Sequence, residues 1–166
     1  MDDYISKAVT ILDVGAGDGE FSLYCSKLNE SVNIYAFESS SIMFELLQKK
    51  INDEKIHNIT LLNYALGHKI GRAKMNKKDE YINIGGLYIK KNDEEVKIAT
   101  MDSLNLTTCD IIKINTMEDH VLIGARQTLE LFHPTIIFKN KTSIDFLKNM
   151  NYNIEPLGEE YMAFIT

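Results

Sequence analysis

Cysteine is scarce, with two in 166 residues. Cys25 and Cys109 are too few, and too far apart in sequence, for a disulfide framework, and both are expected as buried thiols. No apolar run approaches the length of a membrane span. The acidic opening Met1-Asp2-Asp3 is followed by no apolar signal core, so secretory targeting is not expected and the chain reads as cytoplasmic. Positive charge is in deficit: 18 Lys and Arg against 24 Asp and Glu leave a net charge of −6. That balance argues against general nucleic-acid or anionic-membrane binding. The basic residues are scattered apart from short groups such as Lys74-Lys77-Lys78 and Lys90-Lys91. Repeats, linkers and low-complexity segments are missing, and no His/Cys/Asp cluster has metal-ligand spacing, so no metal is expected. What remains is ordinary for a globular chain, 45% hydrophobic and 25% charged, and long enough for one domain over residues 1–166 with its own core.

One stretch stands out: Thr10-Ile11-Leu12-Asp13-Val14-Gly15-Ala16-Gly17-Asp18-Gly19-Glu20-Phe21. An apolar run ends in three glycines at alternate positions and then becomes helix-like. This is the wording of a strand turning sharply into a helix with backbone N–H groups offered to a ligand. The spacing is G-x-G-x-G rather than the G-x-G-x-x-G that cradles a pyrophosphate. Asp13, Asp18 and Glu20 make the loop acidic, and no Lys or Arg intervenes before Lys27. Such a loop repels a diphosphate and suits a ligand carrying positive charge. S-adenosylmethionine, with a sulfonium and an ammonium, is one. The competing reading is a flexible glycine-rich turn with no ligand.

The rest of the chain continues the alternation. Helix 19–29 leads to a strand at Val32–Phe37, a helix at Ile42–Ile51 after the capping residues Ser39-Ser40-Ser41, and a strand at Ile59–Tyr64. Strand, helix, strand, helix, strand is the signature of an open parallel sheet. Glu38 ends the second strand, 19 residues after Gly19, where an acid can accept hydrogen bonds from both ribose hydroxyls of a nucleoside. Its alternative is an exposed acid before a helix N-terminus. Residues 65–75 suggest a hairpin or irregular insertion, residues 76–95 a polar loop that can serve as a lid. Regularity returns with a buried strand at Cys109–Ile114, a long helix at Met117–Phe132, a strand at Thr135–Phe138 and a short helix at Ser143–Met150. Tyr152–Leu157 and Tyr161–Ile165 flank Gly158 as a closing antiparallel hairpin.

Together these segments resemble the FkbM-type family of class I S-adenosylmethionine-dependent methyltransferases. The likeness rests on Leu12 to Gly19, Tyr35-Ala36-Phe37-Glu38, Asn63-Tyr64-Ala65-Leu66-Gly67, Asn83-Ile84-Gly85-Gly86, Thr100 to Leu104 and Ile111-Ile112-Lys113-Ile114. It implies a Rossmann-like α/β sheet of seven strands, mostly parallel, with the last antiparallel. It also implies methyl transfer from S-adenosylmethionine, commonly to a hydroxyl of a small molecule or carbohydrate. The cofactor site is expected at Asp13, Gly15, Gly17, Gly19 and Glu38, with Asn63 and Ala65 from the segments that carry the likeness and Ser39 beside Glu38, where the family commonly has proline. Lys113 and Asn115, at the end of the fourth main strand, and His120 beyond it are the catalytic candidates.

The departures fall where chemistry belongs. The family's Lys-Ile-Asp-Val-Glu-Gly reads Lys113-Ile114-Asn115-Thr116-Met117-Glu118 here, so an aspartate becomes Asn115 and a Glu-Gly pair is missing. Lys139 stands near a glutamate of the family. Glu118, Asp119 and His120 can substitute for the missing base, or be no more than exposed residues in a first helical turn. Two functions stay open: an active methyltransferase, or a catalytically impaired relative that binds the cofactor or a partner. A dinucleotide binder fits the loop less well.

Overall fold

The computed structural model describes residues 1–75, 81–84, 87–90 and 94–165. A four-residue helix, α1 (Asp2–Ile5), precedes the first strand; it carries too few residues to show a period, and the sequence reading has no element there. Then come β1 (Thr10–Val14), α2 (Glu20–Leu28), β2 (Asn33–Phe37), α3 (Ser41–Asp53) and β3 (Ile59–Leu62). A run of short strands follows: β4 (Ala65–Leu66), β5 (Gly71–Met75), β6 (Tyr81–Ile84), β7 (Leu87–Lys90) and β8 (Glu94–Ala99). After a 3-10 turn at Met101–Leu104 the chain makes β9 (Ile111–Ile114), α4 (Glu118–Ile123), α5 (Arg126–Phe132), β10 (Thr135–Phe138) and α6 (Ser143–Asn149). It closes with β11 (Asn153–Leu157) and β12 (Glu160–Phe164).

Seven strands form the main sheet in the order β11-β12-β10-β9-β1-β2-β3. β3, β2, β1, β9 and β10 run parallel, and β12 pairs antiparallel with both β10 and β11. This is the expected Rossmann-like methyltransferase architecture, antiparallel C-terminal hairpin included. Every residue of β1, β9 and β10 is buried. Each of these strands is covered on both faces, so its sequence reads as an apolar run rather than an alternation. Ile11, Ile34, Ile111 and Ile137 meet Cys25 of α2 on one face. Leu12, Ile112, Ile114 and Phe138 meet Val121, Leu129 and Leu147 of α4, α5 and α6 on the other. A fully buried Leu or Ile is worth about 2 kcal/mol in removed apolar surface, so these two layers carry the sheet.

Alternation along β1 and β9 then sets the functional geometry. Asp13 and Lys113 are register partners, each two residues beyond an isoleucine of the α2 face, and so share that face. β1 is also where the strand order turns: β2 and β3 lie to one side, β9 and β10 to the other. Crevices at the carboxyl ends of strands flanking such a turn are where open α/β sheets bind ligands.

Three local readings change. Within the expected lid loop 76–95, β6 and β7 pair antiparallel, Tyr81 opposite Lys90 and Ile84 opposite Leu87, and β8 begins at Glu94, while residues 76–80, 85–86 and 91–93 lie outside the described residues. Residues 65–75 are an insertion as expected, but β4 and β5 do not pair with each other. Both flank β8, one parallel and one antiparallel. The long helix at 117–132 is two helices, broken at Gly124-Ala125. A Cβ on Gly124 would lie 1.9 Å from the carbonyl oxygen of Gly67, so the backbones touch there. Asp102 then supplies a new N-terminus, accepting from the N–H groups of Gln127 and Thr128 at 3.1 and 2.8 Å. Helical periodicity runs through the break and conceals it.

Candidate functional site

The glycine loop is held by its neighbour strand. Gly15 N–H and Ala16 N–H both donate to the carbonyl of Phe37, at 2.9 and 3.0 Å. Gly15, Gly17 and Gly19 have φ of +79°, +57° and +86°, the left-handed region that side chains disfavour. The three glycines are otherwise unlike. A Cβ on Gly19 would lie 2.2 Å from Leu47 Cδ1, and one on Gly15 would lie 2.9 Å from Thr116 Cγ2. Gly17 has open space around it. Gly19 therefore packs α2 against α3, whereas Gly17 leaves its backbone approachable from outside.

Glu38 closes on that backbone. One carboxylate oxygen accepts from Gly17 N–H and the other from Ser40 N–H, each at 2.7 Å. Asn63 donates its side-chain amide to the carbonyl of Glu38 at 2.9 Å and brackets it from β3. The Glu38 carboxylate is buried, and each oxygen keeps a lone pair beyond the one N–H it accepts. Ser40, the N-cap residue of α3, makes no side-chain cap bond; Glu38 serves its N–H instead. Asp13 lies below the loop, 1% exposed, with Ser22 Oγ donating to Oδ2 at 2.6 Å and Oδ1 unpartnered. Burial pushes its carboxyl up to about 6, against the pull of the Ser22 hydroxyl and the Lys113 charge.

Two clefts meet at Gly15. The first, about 320 Å³, is apolar; Phe37 borders it from the end of β2, Tyr64 from just after β3, Ala65 from β4, and Val96 and Ile98 from β8. Ser39, Thr116 and Met117 stand at its rim. The second, about 450 Å³, passes along Gly15-Ala16-Gly17 to Tyr24, Lys113, Asn115, Lys139 and Glu160. Here the structure adds a group that the sequence reading missed. Glu160, at the start of β12, receives the ammonium of Lys113, which is itself 5% exposed, and lies 3.6 Å from that of Lys139. Nothing local in Glu159-Glu160 marks it; only the insertion of β12 beside β10 brings it to the cleft.

The expected site residues divide accordingly. Gly15, Ser39 and Ala65 border the apolar cleft; Gly15, Gly17, Lys113 and Asn115 border the charged one. Glu38 and Asn63 brace the loop between, while Asp13 and Gly19 are buried beneath it. His120 joins Asn115 in a third, smaller pocket of about 210 Å³ and faces His68, with 2.9 Å between their Nδ1 atoms. Glu118 is a correction: it is buried rather than an exposed first-turn acid, and accepts from Lys139 N–H and Asn140 N–H at 2.8 and 2.7 Å. Its carboxylate is committed to the backbone after β10. Asp119 is exposed and accepts from the hydroxyls of Thr142 and Ser143. Cys25 and Cys109 are buried free thiols, each pushed up to about 12 by burial. No group of three or more metal-ligating side chains occurs among the described residues, and no described helix is long and apolar enough to cross a membrane.

No protein-family model matches the sequence, and no curated protein is significantly similar to it. Solved structures do match over nearly the whole chain. A precorrin-6y C5,15-methyltransferase from Geobacter metallireducens shares 14% identity with a TM-score of 0.63, over 98% of this chain and 85% of its own. An rRNA methylase from Streptococcus thermophilus shares 12% at 0.58, over 99% and 94%. A SAM-dependent methyltransferase from Aquifex aeolicus shares 17% at 0.57, over 99% and 86%. The likeness is one of fold.

Proposed function

We propose that this protein is an S-adenosylmethionine-dependent methyltransferase, acting on a hydroxyl of a small molecule or sugar as an FkbM-type enzyme does. The observation that carries the reading is the 2.7 Å contact between Gly17 N–H and Glu38. It sets a buried carboxylate against an open glycine at the crevice where the strand order turns. The cleft fits a cationic nucleoside in chemistry as well as shape. Free lone pairs on Glu38 suit ribose hydroxyls, the apolar cleft of Phe37, Tyr64 and Ile98 suits a purine, and the acidic loop suits a sulfonium. Gly15, Gly17, Ser39, Asn63 and Ala65 frame that ligand, with Asp13 and Gly19 supporting the loop from below.

When bound, S-adenosylmethionine supplies a methyl group already activated by its sulfonium. The chain's own residues then have to orient the acceptor, keep water out and take up a proton. Asn115, bordering both the charged cleft and the small pocket, orients an acceptor hydroxyl through its amide. It cannot take up the proton. His120, in the same small pocket, is the group suited to do so. Lys113 holds Glu160 in place at the floor. Two buried free thiols fit the reducing conditions of the cytoplasm.

Titration calorimetry with S-adenosylhomocysteine tests the site: the native protein binds with micromolar or tighter affinity, and native-like binding by Glu38→Ala rejects the assignment. A second reading, a catalytically impaired cofactor-binding module, is favoured by Asn115 and by the commitment of Glu118 to backbone groups. Transfer of a labelled methyl group at enzymatic rates to any hydroxyl in an acceptor panel excludes it.

A further inference from the structure

We propose that the charged cleft recognises an anionic group, a carboxylate or phosphate, on the methyl acceptor, with Lys139 as the residue that contacts it. This rests on the methyltransferase reading and names the class of acceptor that reading leaves open. The inference comes from a local charge count. Lys113 is buried at the floor and takes Glu160 Oε1 as its partner; Lys139 reaches the same oxygen only at 3.6 Å. One carboxylate thus serves two ammonium groups, and the one at the mouth, 58% exposed, is left in excess. Two further acids border the cleft. Asp18 is engaged by Lys50 at 3.1 Å, and Glu20 sits exposed in the first turn of α2, where the helix N-terminus favours it. Both acids stand at the glycine-loop end of the cleft, beyond β1, whereas Lys139 follows β10, two strands away in the sheet; the acidic end faces the cofactor's cation and the excess ammonium lies at the opposite end.

Lys139 is also positioned rather than merely present. The two N–H bonds to Glu118 fix the backbone at 139–140, and β10 ends immediately before it. Asn115, immediately after the neighbouring strand β9, borders the same cleft, and its amide can donate beside the ammonium. A carboxylate or phosphate oxygen placed there gains a charge-assisted bond and a neutral one. A neutral polyol gains neither charge.

Titration by NMR, at constant ionic strength, uses protein saturated with S-adenosylhomocysteine and three probes: acetate, inorganic phosphate and glycerol. Saturable shifts at Lys113, Asn115 and Lys139 with acetate or phosphate, and none with glycerol, are expected. The better of the two anions identifies the acceptor's group. Lys139→Ala should weaken that anion at least 5-fold, and Lys141→Ala, an exposed lysine two residues on, should leave it within 2-fold. Equal effects of the two substitutions, equal response to glycerol, or no saturation overturns the inference. If S-adenosylhomocysteine itself fails to bind, the methyltransferase reading fails, and the same titration on the ligand-free protein still decides whether the cleft takes anions.

Discussion

The two clefts share Gly15, yet their walls follow opposite rules. The apolar cleft is built from Phe37 at the end of β2, Tyr64 just after β3, and Val96 and Ile98 within β8. The charged cleft lies on the α2 face, where the isoleucine layer gives way one pleat later to Asp13 and Lys113. A buried charge survives only when paired, and here the partner of Lys113 comes from the far end of the chain. One side of the loop is therefore suited to shape and stacking, the other to charge.

The sharpest way to break that contrast is Glu38→Ala, which removes the carboxylate between the two sides. Losing a buried, hydrogen-bonded acid costs about 3 kcal/mol, so S-adenosylhomocysteine should bind roughly 100-fold more weakly by calorimetry. Retained affinity would mean the loop does not read a ribose. Next comes Gly19→Ala: a methyl 2.2 Å from Leu47 Cδ1, at φ +86°, should cost about 2–3 kcal/mol in urea unfolding. Gly17→Ala, with open space and φ +57°, should cost about 1 kcal/mol. If the order of these two substitutions is reversed, the distinction between packing and ligand-facing glycines fails.

Asp13→Asn probes the charged side through pH. The native Asp13 carboxyl titrates near 6, above its ordinary 3.8. Its protonated form is thus favoured in the fold, and stability from this group is present below pH 4 and lost as pH rises through 6. Asparagine removes that loss. The stability of Asp13→Asn relative to the native protein should therefore rise by about 2 kcal/mol between pH 4 and 7 in urea titrations; a flat difference would show that the carboxyl is not desolvated. A last substitution tests the apolar side alone. Tyr64→Ala should weaken 5′-methylthioadenosine by about 10-fold, as loss of an aromatic stacking surface costs roughly 1–2 kcal/mol, while Lys139→Ala leaves that ligand untouched. Equal losses from both would merge the two clefts into one site.

Much of the fold was legible because its signals are local. Apolar β-branched runs mark β1, β9 and β10, the glycines mark the turn into α2, and Gly158 marks the closing hairpin. Glu38 could be placed by its distance from the loop alone. The split of helix 117–132 was not legible, since Val121, Leu122, Leu129 and Phe132 keep a helical period across Gly124. The contact with Gly67 that breaks it comes from 57 residues earlier in the chain. Glu118 was misread for a related reason: a first-turn acid is ordinarily solvated, and only the approach of the 139–140 backbone buries it.

By itself, then, the sequence determined the alternating elements, the acidic glycine turn and the acid at the end of the second strand. Periodicity and turn chemistry act over a few residues and can be read directly. Tertiary structure alone decided which charges share a cleft. Lys113 and Glu160 meet across 47 positions because β12 enters the sheet antiparallel beside β10, and the energy that holds them there is long-range apolar burial.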